Sequence, residues 1–258
     1  MPVKKRNKNA REAIKSSIRK RRSVVNRRRM RRPVSQYDCS DWVGRLEGEP
    51  AFIIGNAPSL NEMDLEPLNN YFTIGINRAF YKIDPTVLFW QDITLWTSEH
   101  ENVVKLQALK LCRDVSDPKG LFYHFYLKSP GYKFDPSKVH VLHGRGSSGP
   151  LACQIACALG CNPLILIGMD CKTEGKKTDF YGKNKYWLPH TQSNCQKGLA
   201  AIKKKCPAEV IFCGNNELWP KAELPSVLAS LKDHEHSRQW FVHKLLGIKS
   251  KQKESPNE

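Results

Sequence analysis

No apolar run in this chain approaches the ~20 residues needed to cross a bilayer, and no apolar stretch follows its charged N-terminus. A membrane-spanning protein and a secreted precursor are therefore not expected, and the sequence reads as soluble and cytoplasmic. No Cys-x-x-Cys pair occurs, so the usual spacing of a structural zinc site is missing. Acidic residues are nearly absent from the first 32 positions, where Glu12 stands alone. No Asp-x-Asp accompanies Asp92 or Asp170, so metal held through nucleotide phosphates is not indicated.

What is present is enough for a real core. The chain has 258 residues, 40% of them hydrophobic and 9% aromatic, which excludes wholesale disorder and fits one domain with appendages. The formal net charge is +17, and it is unevenly placed. Fifteen Lys and Arg fall within residues 1–32, giving that stretch +14 and leaving +3 for the rest. A dense cationic arm on a near-neutral body is an electrostatic attachment, separable from the fold. The division expected is a basic arm at 1–36, disordered or helical, an α/β domain at 37–236, and a C-terminal helix with a polar tail at 237–258.

The nine cysteines are an odd number, and their placement argues against a disulfide framework. Cys153, Cys157 and Cys161 recur every four residues in an Ala-rich apolar run, on one face of a helix, where free thiols behave as small hydrophobes. Structural thiols in a reducing compartment are expected, in preference to a metal site completed by His140 or His143.

Short apolar runs at 51–54, 72–76, 87–90, 121–125, 139–142, 164–167 and 210–213 read as strands. Helical patterns fall at 95–111, 149–159, 192–205 and 224–231. This alternation predicts a single Rossmann-like α/β domain, a mainly parallel sheet flanked by helices. Ligands in such domains bind beyond the carboxyl ends of the strands. Those ends carry Gly55 and Asn56, Asn77 and Arg78, Gln91 and Asp92, residues 143–149, Asp170, and Asn215 with Asn216. Small, amide and hydroxyl residues suit a phosphate-bearing ligand held by backbone N–H groups, although turns favour the same residues.

Three segments carry the chemistry. Gly-Asn-Ala-Pro-Ser-Leu at 55–60 is either a plain strand–turn–helix connection with Ser59 as N-cap or a ligand turn. It is neither Gly-x-Gly-x-x-Gly nor a Gly-Lys-Ser/Thr phosphate loop, which weakens dehydrogenase and kinase readings for it. At 144–149, glycines precede a helix capped by Ser147 or Ser148, and they allow a ligand close to the main chain. His190, in an aromatic-flanked polar loop before a helix, is either a structural histidine or a general base.

Taken in order, these segments resemble the bacterial family-42 sialyltransferases. The wider group holds the motility-associated-factor glycosyltransferases and the 6-hydroxymethylpterin pyrophosphokinase-like proteins of the DUF115 type, with homologues in phage genomes. The resemblance runs over about residues 51–220 and rests on Gly-Asn-x-Pro-Ser-Leu at 55–60, Asn77, Ser-Ser-Gly at 147–149, Gly-Met-Asp at 168–170 and His190. It implies a glycosyltransferase using a nucleotide sugar of the cytidine-monophosphate type, with no metal and no other cofactor. Asn56 and Asn77 would contact the donor's phosphate and ribose, and Gly55 and Ser59 would also belong to the donor-binding set. Ser147, Ser148 and Gly149 would hold the base, and Asp170 would support the pocket. Tyr181 and Tyr186 would contact the leaving phosphate, and His190 would deprotonate the acceptor. The basic loop at 172–177 departs from the aromatic residues common in the family.

The arm, with Arg19, Lys20, Arg21, Arg22, Arg27, Arg28, Arg29, Arg31 and Arg32, suits nucleic acid; an acidic membrane or a solubilising tail are its rivals. An arm on polyanion points to a modified nucleobase in DNA as acceptor. Two other readings stand beside this one. The first is a pterin-type pyrophosphokinase using ATP and Mg2+, and the second a non-enzymatic nucleic-acid-binding protein with a relic pocket.

Overall fold

Eight strands, all parallel, make one sheet in the order β6-β5-β4-β3-β2-β1-β7-β8. They are β1 (Ala51–Ile54), β2 (Phe72–Ile76), β3 (Val87–Trp90), β4 (Leu109–Arg113), β5 (Tyr123–Lys128), β6 (Val141–His143), β7 (Leu164–Ile167) and β8 (Val210–Cys213). The helices are α1 (Ile93–Lys105), α2 (Ser148–Ala158), α3 (Thr191–Lys205), α4 (Leu224–Ser230) and α5 (Arg238–Leu246). This computed structural model describes residues 35, 37–128, 135–144, 146–184 and 190–248, which belong to a compact unit beginning at Ser35.

The continuous apolar runs of β1, β2, β3 and β7 are buried at every position because helices cover both faces of the sheet. Alternation sends successive residues to opposite sides. Ala51, Ile53, Leu164 and Leu166 face α2, α3 and α5, whereas Phe52, Ile54, Ile165 and Ile167 meet Leu60, Leu68, Leu224 and Val227. The C-terminal helix α5 buries Phe241 and Leu245 in the first of these cores.

Four expectations need correction. The helix read over 95–111 stops at Lys105, and its last residues become β4, whose Leu109 N–H joins the carbonyl of Thr86 at 2.9 Å. The strand read at 121–125 starts at Tyr123, because the Phe122 N–H goes instead to Asp117 Oδ2 at 2.8 Å. Ser59 is not an N-cap: it lies inside a 3-10 turn, Pro58–Glu62, with Ala57 in the cap place. The thiols are not all free, since Cys171 and Cys195 form a disulfide, while the other seven cysteines stay reduced. Cys153 and Cys157 do share the buried face of α2, but Cys161 falls beyond its end.

Candidate functional site

Strand order reverses at β1, which has β2 on one side and β7 on the other. Chain leaving such neighbours diverges to opposite faces of the sheet and opens a crevice beyond their carboxyl ends. Here the two turns approach so closely that a Cβ on Gly55 would stand 2.2 Å from the Gly168 carbonyl oxygen. The Gly55 and Ala57 N–H groups bond to Ile167 and Gly168 carbonyls at 2.8 and 2.9 Å, which locks the turns together. Above them lies a cleft of about 380 Å³.

Most residues singled out from sequence line this one cleft: Gly55, Asn56, Asn77, Ser147, Ser148, Gly149, Tyr181 and His190. Asn56 donates from Nδ2 to the Ile76 carbonyl at 2.9 Å, and its Oδ1 is buried without a hydrogen-bond partner among the described residues. Asn77 adopts a left-handed backbone (φ 52°), a conformation uncommon outside glycine, at the point where β2 enters the cleft. Ser148 Oγ accepts from Gln91 Nε2 at 2.8 Å. Ser147 occupies the N-cap place of α2 but makes no side-chain cap bond, so the helix presents its first N–H groups and positive dipole end to the cleft. His190 is exposed, stands in the N-cap place of α3 without capping it, and lines the same space.

Two residues of the set stand elsewhere. Asp170 is 6% exposed and lies behind the cleft, where its Oδ1 accepts the Asn215 N–H at 3.1 Å. Burial pushes its carboxyl above the ordinary range, and the Asn215 N–H pulls the other way. Ser59 does not line the cleft, and its Oγ is buried without a hydrogen-bond partner among the described residues. Asp170 borders a second cavity of about 350 Å³, together with Lys172, Lys197 and Glu217. Tyr186 and the nine basic arm residues lie outside the described residues.

The structure adds groups that the sequence reading left out of the site. Arg78 reaches the cleft from β2, held by Glu99 Oε1 at 2.7 Å and Ser98 Oγ at 3.0 Å, with its guanidinium 5.4 Å from the centre of the Tyr181 ring. Tyr181 is pushed up to about 12, first by burial and then by the charge of Asp179, so its phenol stays a hydrogen-bond donor at neutral pH. Asp179 itself is 5% exposed and held above the usual carboxylate range by burial. Thr178, Asn184, Thr191 and Asn194 complete a polar wall. Arg78 follows Asn77 at a strand end, a signal that was available; Asp179 sits in a turn with no motif to mark it.

The glycines of 144–149 also have the Gly-x-Gly-x-x-Gly spacing, after β6 and opening α2, with Asp170 about 20 residues further on as a dinucleotide fingerprint would require. Topology rules that reading out. β6 is the sheet's edge strand and β7 lies on the far side of β1, so the two are not neighbours, and Asp170 is outside the cleft. What remains is a glycine turn, Gly146 with φ 73°, that leaves the N-terminus of α2 open.

No protein-family model and no curated protein matches the sequence. Among solved structures, the MAf glycosyltransferase of Magnetospirillum magneticum AMB-1 is similar over 79% of this chain at 16% identity, with a TM-score of 0.48. This chain corresponds to 40% of that one. The sialyltransferase CstII of Campylobacter jejuni, solved with the substrate analogue cytidine-5'-monophosphate, is similar over 67% of this chain and 83% of its own at 17% identity, with a TM-score of 0.40. Among the described residues, no helix is long and apolar enough to cross a membrane.

Proposed function

We propose that the chain is a glycosyltransferase that takes a nucleotide sugar, of the cytidine-monophosphate type, into the cleft at the end of β1. The observation that carries this reading is convergence: an uncapped helix N-terminus, Asn56 and Asn77, an arginine–tyrosine pair and His190 line one cavity. In this reading Ser147, Ser148 and Gly149 receive the base, while Asn56 and Asn77 bind ribose and phosphate at the turns after β1 and β2.

The reaction is a single displacement at the anomeric carbon. His190 takes the proton of the acceptor hydroxyl as its oxygen forms a bond to that carbon. The bond from the carbon to the phosphate oxygen breaks, and its electron pair leaves with the nucleotide. Arg78 and the Tyr181 phenol supply positive charge and a proton donor where the negative charge grows. Chain residues thus cover the roles of base and leaving-group stabiliser. The cationic arm provides polyanion attachment, consistent with an acceptor on DNA.

Nucleotide release from CMP- and UDP-sugars by the full-length protein tests this. His190→Ala is expected to slow release by about 10²–10⁴-fold, the usual worth of a general base, while still binding nucleotide. Release unchanged in His190→Ala, or turnover confined to ATP with Mg2+ and a pterin alcohol, overturns the proposal.

A further inference from the structure

A second constellation lies at the end of β4, where Cys112 stands in register with His124 of β5. Cys112, Asp117 and His124 bring one thiol, one carboxylate and one imidazole together, with donor atoms all within 4.8 Å of one another. They are 0%, 1% and 5% exposed. Among the described residues this is the one such His/Cys/Asp/Glu cluster.

Its hydrogen bonding is incomplete. His124 Nε2 lies 2.9 Å from Asp117 Oδ2, which also accepts the Phe122 N–H. His124 Nδ1 and Asp117 Oδ1 are buried and have no hydrogen-bond partner among the described residues. Buried polar atoms in this condition are disfavoured, and a buried carboxylate calls for compensating positive charge. A doubly protonated imidazole would supply the charge but would leave its second N–H unsatisfied. A cation bound among the three side chains would supply that charge, taking one donor atom from each.

We propose that Cys112, Asp117 and His124 bind a divalent transition-metal ion of the zinc class at a structural site separate from the cleft. Thiolate, imidazole and carboxylate are the three donor types that zinc takes, whereas magnesium and calcium want oxygen alone. Binding turns the Cys112 thiol into a thiolate and sends its proton to solvent. A fourth position is left for water or for Asp114, whose charge already bears on Cys112 from the next turn.

The ion has a structural consequence for the cleft. Ser116, between the acidic turn and Asp117, donates its hydroxyl to the Gln91 carbonyl, and Gln91 Nε2 holds Ser148 at 2.8 Å. Fixing the 114–117 turn therefore fixes the opening turn of α2. The inference does not depend on which reaction the cleft performs.

Elemental analysis of the full-length, tag-free protein, grown with zinc and purified without chelator, gives the first test. About one equivalent of zinc is expected, and cobalt exchanged into the wild-type protein should show thiolate-to-cobalt charge transfer in the near ultraviolet. Cys112→Ser should abolish that band and weaken zinc by about tenfold or more. Three results would overturn the proposal: folded wild-type protein that carries only traces of transition metal and whose melting temperature zinc does not raise, a cobalt spectrum without the thiolate band, or metal retained in full by Cys112→Ser. The wild-type spectrum decides the matter even if the variant fails to fold.

Discussion

Asp170 was read as part of the donor pocket, yet its carboxylate faces away from the cleft toward the Asn215 N–H. Burial raises its pKa, so the folded protein holds this proton more tightly than the unfolded chain does. Wild-type stability then falls as pH rises from the ordinary carboxylate range through the folded value. Asp170→Asn keeps an acceptor for Asn215 and removes the buried charge. It should melt above wild type at neutral pH, with the gap closing on acidification through that window; melting curves at stepped pH check this, and a gap that widens in acid contradicts it. The residue scale is also where sequence was least informative. Asn56, Asn77 and Ser148 stand on turns after strands, so strand-end logic found them, and His190 was marked by its polar loop before a helix. Arg78, Asp179 and Tyr181 work as a trio only because β2 and the turn after residue 177 meet in space. No local pattern encodes that meeting.

Elements followed their local patterns wherever burial and periodicity agreed. The runs at 72–76, 87–90, 164–167 and 210–213 are the strands β2, β3, β7 and β8, since a short apolar run bounded by turn residues can hardly be anything else in a covered sheet. β4 escaped because Val103, Leu106, Leu109 and Leu111 continue the spacing of a helix, and only a free strand edge on β3 settles the matter. The disulfide between Cys171 and Cys195 was invisible for a similar reason: it links the turn after β7 to α3 across 24 positions that no spacing rule connects. For α5, the ring of Phe241 is fully buried against Phe72 and Trp240. Phe241→Ala should cost about 3–5 kcal/mol through lost burial and a residual cavity, read from urea unfolding at unchanged m-value. A cost under about 0.5 kcal/mol, the range of surface substitutions, would mean that α5 merely rests on the domain.

At the scale of the molecule, charge and fold divide the work: most of the +17 belongs to residues 1–32, and the cleft belongs to the sheet. Deleting residues 1–32 should abolish salt-sensitive retention on duplex DNA, whose affinity in the intact protein should fall with log salt at a slope of about −0.9 per phosphate neutralised. Equal retention with and without the arm would assign the attachment elsewhere. The parallel order of the strands puts the reversal point between β1 and β7, and every polar group that the proposed transfer needs gathers there. The most direct test is therefore occupancy of that space. In a melting-temperature panel without divalent metal, CMP or a CMP-sugar should stabilise the full-length protein, and Asn56→Ala should lose the shift. If no pyrimidine nucleotide shifts the wild-type transition, or ATP with Mg2+ alone does, the cleft does not hold a sugar-nucleotide donor.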